Sequence, residues 1–130
     1  MKKDIAKKWV KALRSGKYKQ GKSWLKQYNS KGQEQHCCLG VLCELYNEAM
    51  KKNHKKSLQT RSVDAIGANF VYFGNQSQGL PKVVRQWAGV QTSLGDFDTS
   101  NDFLCLADLN DCGSKFKTIA NLIEKNVENI

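Results

Sequence analysis

The chain has 130 residues, 40% of them hydrophobic and 25% charged, and its 21 Lys+Arg against 12 Asp+Glu leave a formal charge of +9. A chain of this length forms one domain and buries about two thirds of the surface it exposes when unfolded. The aromatic content, the single proline and the ordinary charged fraction exclude disordered, collagen-like and low-complexity classes, and the longest apolar run, residues 37–43, is too short to span a bilayer.

Over residues 4–15, Ile5, Trp9, Ala12 and Leu13 recur at helical spacing while Lys7, Lys11 and Arg14 share the opposite face. This predicts an amphipathic first helix, stopped by Gly16. Residues 17–21 read as a loop, and residues 23–28 and 33–37 flank the turn-like Asn29-Ser30-Lys31-Gly32 as a short hairpin. Residues 38–51 place Cys38, Leu42, Leu45 and Ala49 on one side, with Leu39, Cys43, Tyr46 and Met50 widening it. Glu44, Asn47, Glu48 and Lys51 fall opposite, which predicts the central, most buried helix. Residues 53–59 read as an exposed loop and residues 69–73 as a strand between Gly67 and Gly74. Pro81 opens a short helix through Val83, Val84, Trp87 and Ala88 that ends at Gly89. An acidic loop over 95–102 follows, then a short helix over 103–109 and a longer one from Ser114 that buries Phe116, Ile119, Ile123 and Val127. Asn110-Asp111-Cys112-Gly113 is the sharp connection between them. These elements define an α+β fold: a single domain over 1–130, mostly helical, with a short hairpin or small antiparallel sheet.

Five cysteines, an odd number that includes the adjacent Cys37 and Cys38, make a poor disulfide framework and lack zinc spacing. They read as buried free thiols in a reducing cytosol, with no metal and no cofactor. Lysines recur near the start before an apolar run of about 7–15 residues can develop, so no export signal is read there. The positive charge is unevenly placed: residues 1–31 carry eleven basic side chains and one acidic, Asp4, whereas the other 99 carry ten basic and eleven acidic. Such asymmetry creates a local field suited to an anionic partner, and its plain alternative is a solvated face.

No Walker A sequence, G-x-G-x-x-G, H-E-x-x-H or G-x-S-x-G occurs, so the usual NTPase, dinucleotide, zincin and hydrolase readings fall away and no enzyme is expected. His36 beside Cys37 resembles a base and nucleophile. On an extended segment, however, adjacent side chains point to opposite faces. Asp96, Asp98, Asp102, Asp108 and Asp111 lack the EF-hand pattern and read as solvated acids. The best binding candidate is the stretch from Lys17 to Trp24, in which Lys17, Lys19 and Lys22 alternate with Tyr18, Gln20, Gly21 and Trp24. That residue set can hold phosphates while a ring stacks on a base, although Tyr18 and Trp24 equally suit the core of a hairpin.

Four motifs, Trp9-Val10-x-Ala12-Leu13-Arg14-Ser15-Gly16-x-Tyr18-x-Gln20-Gly21, Cys37-Cys38-Leu39-Gly40-Val41-Leu42-Cys43-Glu44-Leu45, Leu80-Pro81-x-x-Val84-x-x-Trp87-Ala88-Gly89 and Leu106-x-x-Leu109-Asn110-Asp111-x-Gly113-x-x-Phe116-x-x-Ile119-Ala120, occur in this order. Together they resemble a widespread family of small bacteriophage-encoded proteins. The resemblance implies a phage origin and a place in the bacterial cytosol, supplies no activity, and singles out Arg14, Tyr18, Gln20, Asn110 and Asp111. The expectation is therefore a non-enzymatic phage accessory protein that binds an anionic, nucleotide-type small molecule and antagonises host defence by sequestering it. Its ligand residues are expected to be Arg14, Lys17, Tyr18, Lys19, Gln20, Lys22, Trp24, Asn110 and Asp111. The alternatives are a nucleic-acid-binding protein and an inhibitor docking on a host protein. No membrane partner is expected, and a homo-oligomer is left open.

Overall fold

The strongest helical signal becomes helix α1 (Lys3–Arg14) in the computed structural model, which describes residues 1–65, 67–98 and 103–130. Its buried stripe is Ile5, Ala6, Trp9, Val10 and Leu13, with Ala12 only half-buried at the edge. Gly16 follows at φ +77°, a conformation that costs glycine nothing, and turns the chain out of the helix. Strands β1 (Lys26–Tyr28) and β2 (Glu34–His36) then form the expected hairpin, pairing Lys26 with His36 and Tyr28 with Glu34.

Helix α2 (Cys38–Lys52) runs through the core, with Leu39, Val41, Leu42 and Cys43 fully buried. It packs against α1 and β2. A Cβ at Gly40 would overlap the Leu25 carbonyl, so glycine is what lets the helix backbone lie against the chain entering β1. Asn47 departs from the expected polar face: it is buried, and its amide both donates to and accepts from the backbone of Leu58, at 3.3 and 2.8 Å. The side chain ties down a loop that has no ladder of its own, which satisfies buried backbone groups that would otherwise go unpaired. Leu45 and Ala49, expected in the core, are half-buried.

Strand β3 (Thr60–Ala65) carries no clear alternation of apolar residues and escaped the sequence reading; it forms because it pairs along its length with β4 (Ala68–Phe73). The main sheet has the order β2-β1-β4-β3, antiparallel throughout. In β4, Phe73 joins the core while Phe70 lies under the Trp24 indole, stacked at 3.9 Å between centroids. Arg61 covers the Tyr72 ring at 4.5 Å.

Helix α3 (Lys82–Ala88) begins after Pro81 and stops at Gly89, as expected. The acidic loop is in part a strand: β5 (Asp96–Asp98) pairs with β6 (Phe103–Cys105), and residues 99–102 of that loop lie outside the described residues. The helix expected over 103–109 therefore starts late, as α4 (Leu106–Asp111), because Phe103 to Cys105 are committed to the hairpin. Asn110 and Asp111 belong to α4 rather than to the connection after it. Helix α5 (Phe116–Lys125) buries Phe116, Ile119, Ala120 and Ile123 against α1, and Val127 packs on the core beyond its end. The protein is a small α+β domain with, among the described residues, five helices, a four-stranded antiparallel sheet and a two-stranded hairpin.

Candidate functional site

The segment after α1 is pinned at both edges by backbone bonds to the end of β2. The His36 amide donates to the Lys19 carbonyl and the Gly21 amide to the His36 carbonyl, each at 2.8 Å. Gln20 points inward. Its amide donates to Asn110 Oδ1 at 3.0 Å and to the Ser114 carbonyl at 2.7 Å, and its oxygen accepts the Phe116 amide at 3.0 Å. Asn110, fully buried, accepts the Cys38 amide at 3.1 Å and donates to the Gly21 carbonyl at 2.8 Å. Asp111 accepts the Ser23 amide at 2.8 Å. These three side chains fasten the segment to α2, α4 and the start of α5, and that fastening fixes what the neighbouring side chains face.

Tyr18, half-buried, separates two adjoining depressions. The inner one, about 180 Å³, is lined by Lys17, Tyr18, Lys19, Glu34, His36, Glu44 and Glu48. The outer one, about 270 Å³, shares Lys17, Tyr18 and Glu48 and adds Lys8, Lys11, Ala12, Ser15 and Leu45. Joined, they fall at the small end of small-molecule sites, which run from about 300 to 1,000 Å³.

The charges in the inner pocket are unequally matched. Lys17 lies 3.3 Å from Glu48 and Lys26 lies 3.4 Å from Glu34. Among the described residues Glu44 forms an ion pair with no lysine or arginine, and its nearest basic group is His36 Nε2 at 3.8 Å, beyond hydrogen-bond length. Burial works against the Glu44 charge, but His36, Lys26 and Lys51 outweigh it and hold the carboxyl below its usual range. The His36 imidazole is 3% exposed, and neither of its ring nitrogens has a hydrogen-bond partner. Such buried polar atoms cost stability unless something satisfies them. Tyr18 sits edge-on to this ring at 5.2 Å, its hydroxyl 3.4 Å from Glu48, and burial together with Glu48 pushes the phenol up so that it stays protonated. In the outer depression Lys8 and Lys11 are exposed and form no ion pair among the described residues.

The nine residues named from sequence divide into three groups. Lys17, Tyr18 and Lys19 line the inner pocket. Gln20, Asn110 and Asp111 hold the fold around it, Trp24 stacks on Phe70, and Arg14 is engaged by Glu124 at 3.0 Å and Asn121 at 2.7 Å on α5. Lys22 is exposed, and its carbonyl accepts from Gln27. His36 and Glu44 were not named as ligand residues. Their signal was the spacing of Glu44 and Glu48, one helical turn apart on α2, opposite a histidine at a strand end. The base-and-nucleophile reading finds no support in the thiol, because burial pushes Cys37 up to about 11. The five cysteines form no disulfide, and four are buried with Cys112 exposed. Among the described residues no cluster of three or more His, Cys, Asp or Glu side chains has metal-binding geometry.

A larger groove, about 480 Å³, runs between α1 and the last residues of the chain, with Lys3, Lys7 and Lys125 above Ala6, Val10 and Val127. Among the described residues the unpartnered buried polar atoms belong to His36 and Arg85, and neither lines this groove. No helix among the described residues is long and apolar enough to cross a membrane.

The chain belongs to the family described as Domain of unknown function (DUF8296), which matches residues 1–127. No curated protein and no solved structure matches it.

Proposed function

We propose that the protein binds an anionic, nucleotide-type small molecule without transforming it, in the paired depressions on either side of Tyr18. The observation that supports this is the unpartnered His36 ring beside Glu44, a carboxylate that no lysine or arginine pairs among the described residues, together with Lys8 and Lys11 in the adjoining depression, which form no ion pair among those residues. Directional polar groups select a base-like moiety, and the lysines hold phosphate. Of the lysines named from sequence, Lys17 stands at the junction and Lys19 lines the inner depression. In this reading, which takes up the resemblance to phage-encoded proteins, the binding occurs in the bacterial cytosol and antagonises host defence by sequestering a nucleotide signal.

A second reading, nucleic-acid binding, is favoured by one specific feature. Lys3, Lys7, Lys11 and Arg14 follow one another along α1 at near-helical repeats, a row of roughly 16 Å at about 1.5 Å per residue. Calorimetry with mononucleotides and with short single strands at two salt concentrations separates the readings. A pocket-bound nucleotide gives a shallow salt slope, and a polyanion along α1 a steep one. Replacing Lys8, Lys11, Lys17 and Lys19 by Gln is expected to leave the melt unchanged and weaken mononucleotide binding at least tenfold, about 1.4 kcal/mol. Equal affinity in a folded quadruple variant rejects the site.

A further inference from the structure

Resting on the nucleotide reading above, we propose that the inner pocket is selective for guanine and that Glu44 is the residue that reads the base. The three carboxylates of the pocket are not equivalent: Glu48 and Glu34 are ion-paired by Lys17 and Lys26, whereas Glu44 meets only the His36 ring, at 3.8 Å. Its side chain is 26% exposed, so it is open to a ligand while partly withdrawn from water, where a hydrogen bond to a charged group counts for more.

An ionised carboxylate only accepts hydrogen bonds, and its two oxygens suit two neighbouring N–H groups. Among the common bases, guanine alone offers that pair on its hydrogen-bonding edge, a ring N–H beside an amino group. Adenine and cytosine place a ring acceptor beside the amino group, which sets a lone pair against the carboxylate. Uracil offers one N–H between two carbonyls. The carbonyl flanking the guanine donors is left to the Lys19 ammonium, which lines the same pocket and spends one of its three N–H groups on Gln33 Oε1 at 2.9 Å, whereas the Tyr18 hydroxyl is engaged by Glu48.

His36 completes the arrangement as a positioning residue. Its ring stands behind Glu44 with both nitrogens unpartnered, and a small inward movement of the carboxylate brings Nε2 from 3.8 Å into hydrogen-bond range. Ligand binding that draws Glu44 into place thus also satisfies a buried group that the free protein leaves alone. The phosphate of a seated nucleotide then lies toward Lys17 and the outer depression with Lys8 and Lys11.

The test is calorimetry of the full chain with GMP, AMP, CMP and UMP at one salt concentration, repeated with Glu44→Gln. GMP is expected to bind at least tenfold tighter than the other three, about 1.4 kcal/mol. Glu44→Gln, which turns one acceptor into a donor, is expected to abolish that preference while AMP affinity stays within about twofold. Binding of all four with equal affinity overturns guanine selection and leaves the nucleotide reading standing. Binding of none overturns both. A GMP preference that survives Glu44→Gln overturns the role of Glu44, and the wild-type series decides selectivity even if that variant folds poorly.

Discussion

The side-chain amides of Gln20 and Asn110 meet in a 3.0 Å hydrogen bond across ninety positions of sequence. Both belong to the motif residues that invite a ligand-binding reading, yet each uses its donors and acceptors on the protein itself. Asn110→Ala would strand the Cys38 amide and the Gly21 carbonyl. At about 1–3 kcal/mol for each of the two stranded groups, the expected loss is roughly 2–6 kcal/mol. Chemical denaturation of the two single variants and the double Gln20→Ala/Asn110→Ala variant checks this, and a coupling energy near zero would contradict a shared network.

Trp9 is fully buried, and its indole nitrogen donates to the Cys38 carbonyl at 2.9 Å. Trp9→Ala is expected to cost about 3–5 kcal/mol, a large share of the stability of a domain this size. Lys11→Ala, on the exposed face of the same helix, is expected to stay within about 0.5 kcal/mol. Thermal melts that show equal, mild losses would contradict the packing of α1.

Gly40→Ala is expected to be among the most damaging single-methyl additions in the chain. The new Cβ would meet backbone, the Leu25 carbonyl, rather than a flexible side chain, so relief requires α2 to move away from β1. Overpacking of this kind costs about 1–3 kcal/mol and sometimes more. The melting temperature reports it, and an unchanged value would mean that the two backbones do not touch.

Burial pushes the Cys37 thiol from 9.0 up to about 11, and pushes Cys38 and Cys43 up as well. Above pH 9 the unfolded chain loses a proton from Cys37 that the folded chain keeps. Stability tied to this thiol is therefore complete below pH 9 and falls as the pH rises toward 11, by roughly 3 kcal/mol. Denaturation curves of wild type and Cys37→Ala across that range isolate the effect, because the variant lacks it. At neutral pH a thiol reagent is expected to modify Cys112 fast and the other four slowly.

Much of this fold is legible in the sequence, for reasons particular to each element. Helices α1, α2 and α5 announce themselves because their apolar residues recur with the helical period, and the β1-β2 hairpin because a turn sequence separates its strands. Strand β3 is silent because its stability comes from pairing with β4, a long-range property that no local pattern encodes. The helix expected at Phe103 fails for the same reason, since pairing with β5 overrides local preference up to Cys105. Within the candidate site, charge placement led to Lys17 and Lys19. It could not separate Tyr18, which faces a pocket, from Gln20, Asn110 and Asp111, which face one another. That distinction depends on which groups remain unpaired after folding, and His36, noticed in the sequence only as a neighbour of Cys37, joins the site through its lack of partners.

Helix α1 packs against α5, so the first element of the chain finds its main partner in the last. A nascent chain emerging from the ribosome carries the apolar stripe of α1 into water before α5 exists to pack on it. Loop closure over that separation is slow, and it comes only after α5 has been synthesised. Until then the basic face of α1 and its apolar stripe are both open, which makes the incomplete polypeptide a natural client for chaperones. A product that lacks α5 would leave that side of α1 uncovered and is expected to aggregate more readily.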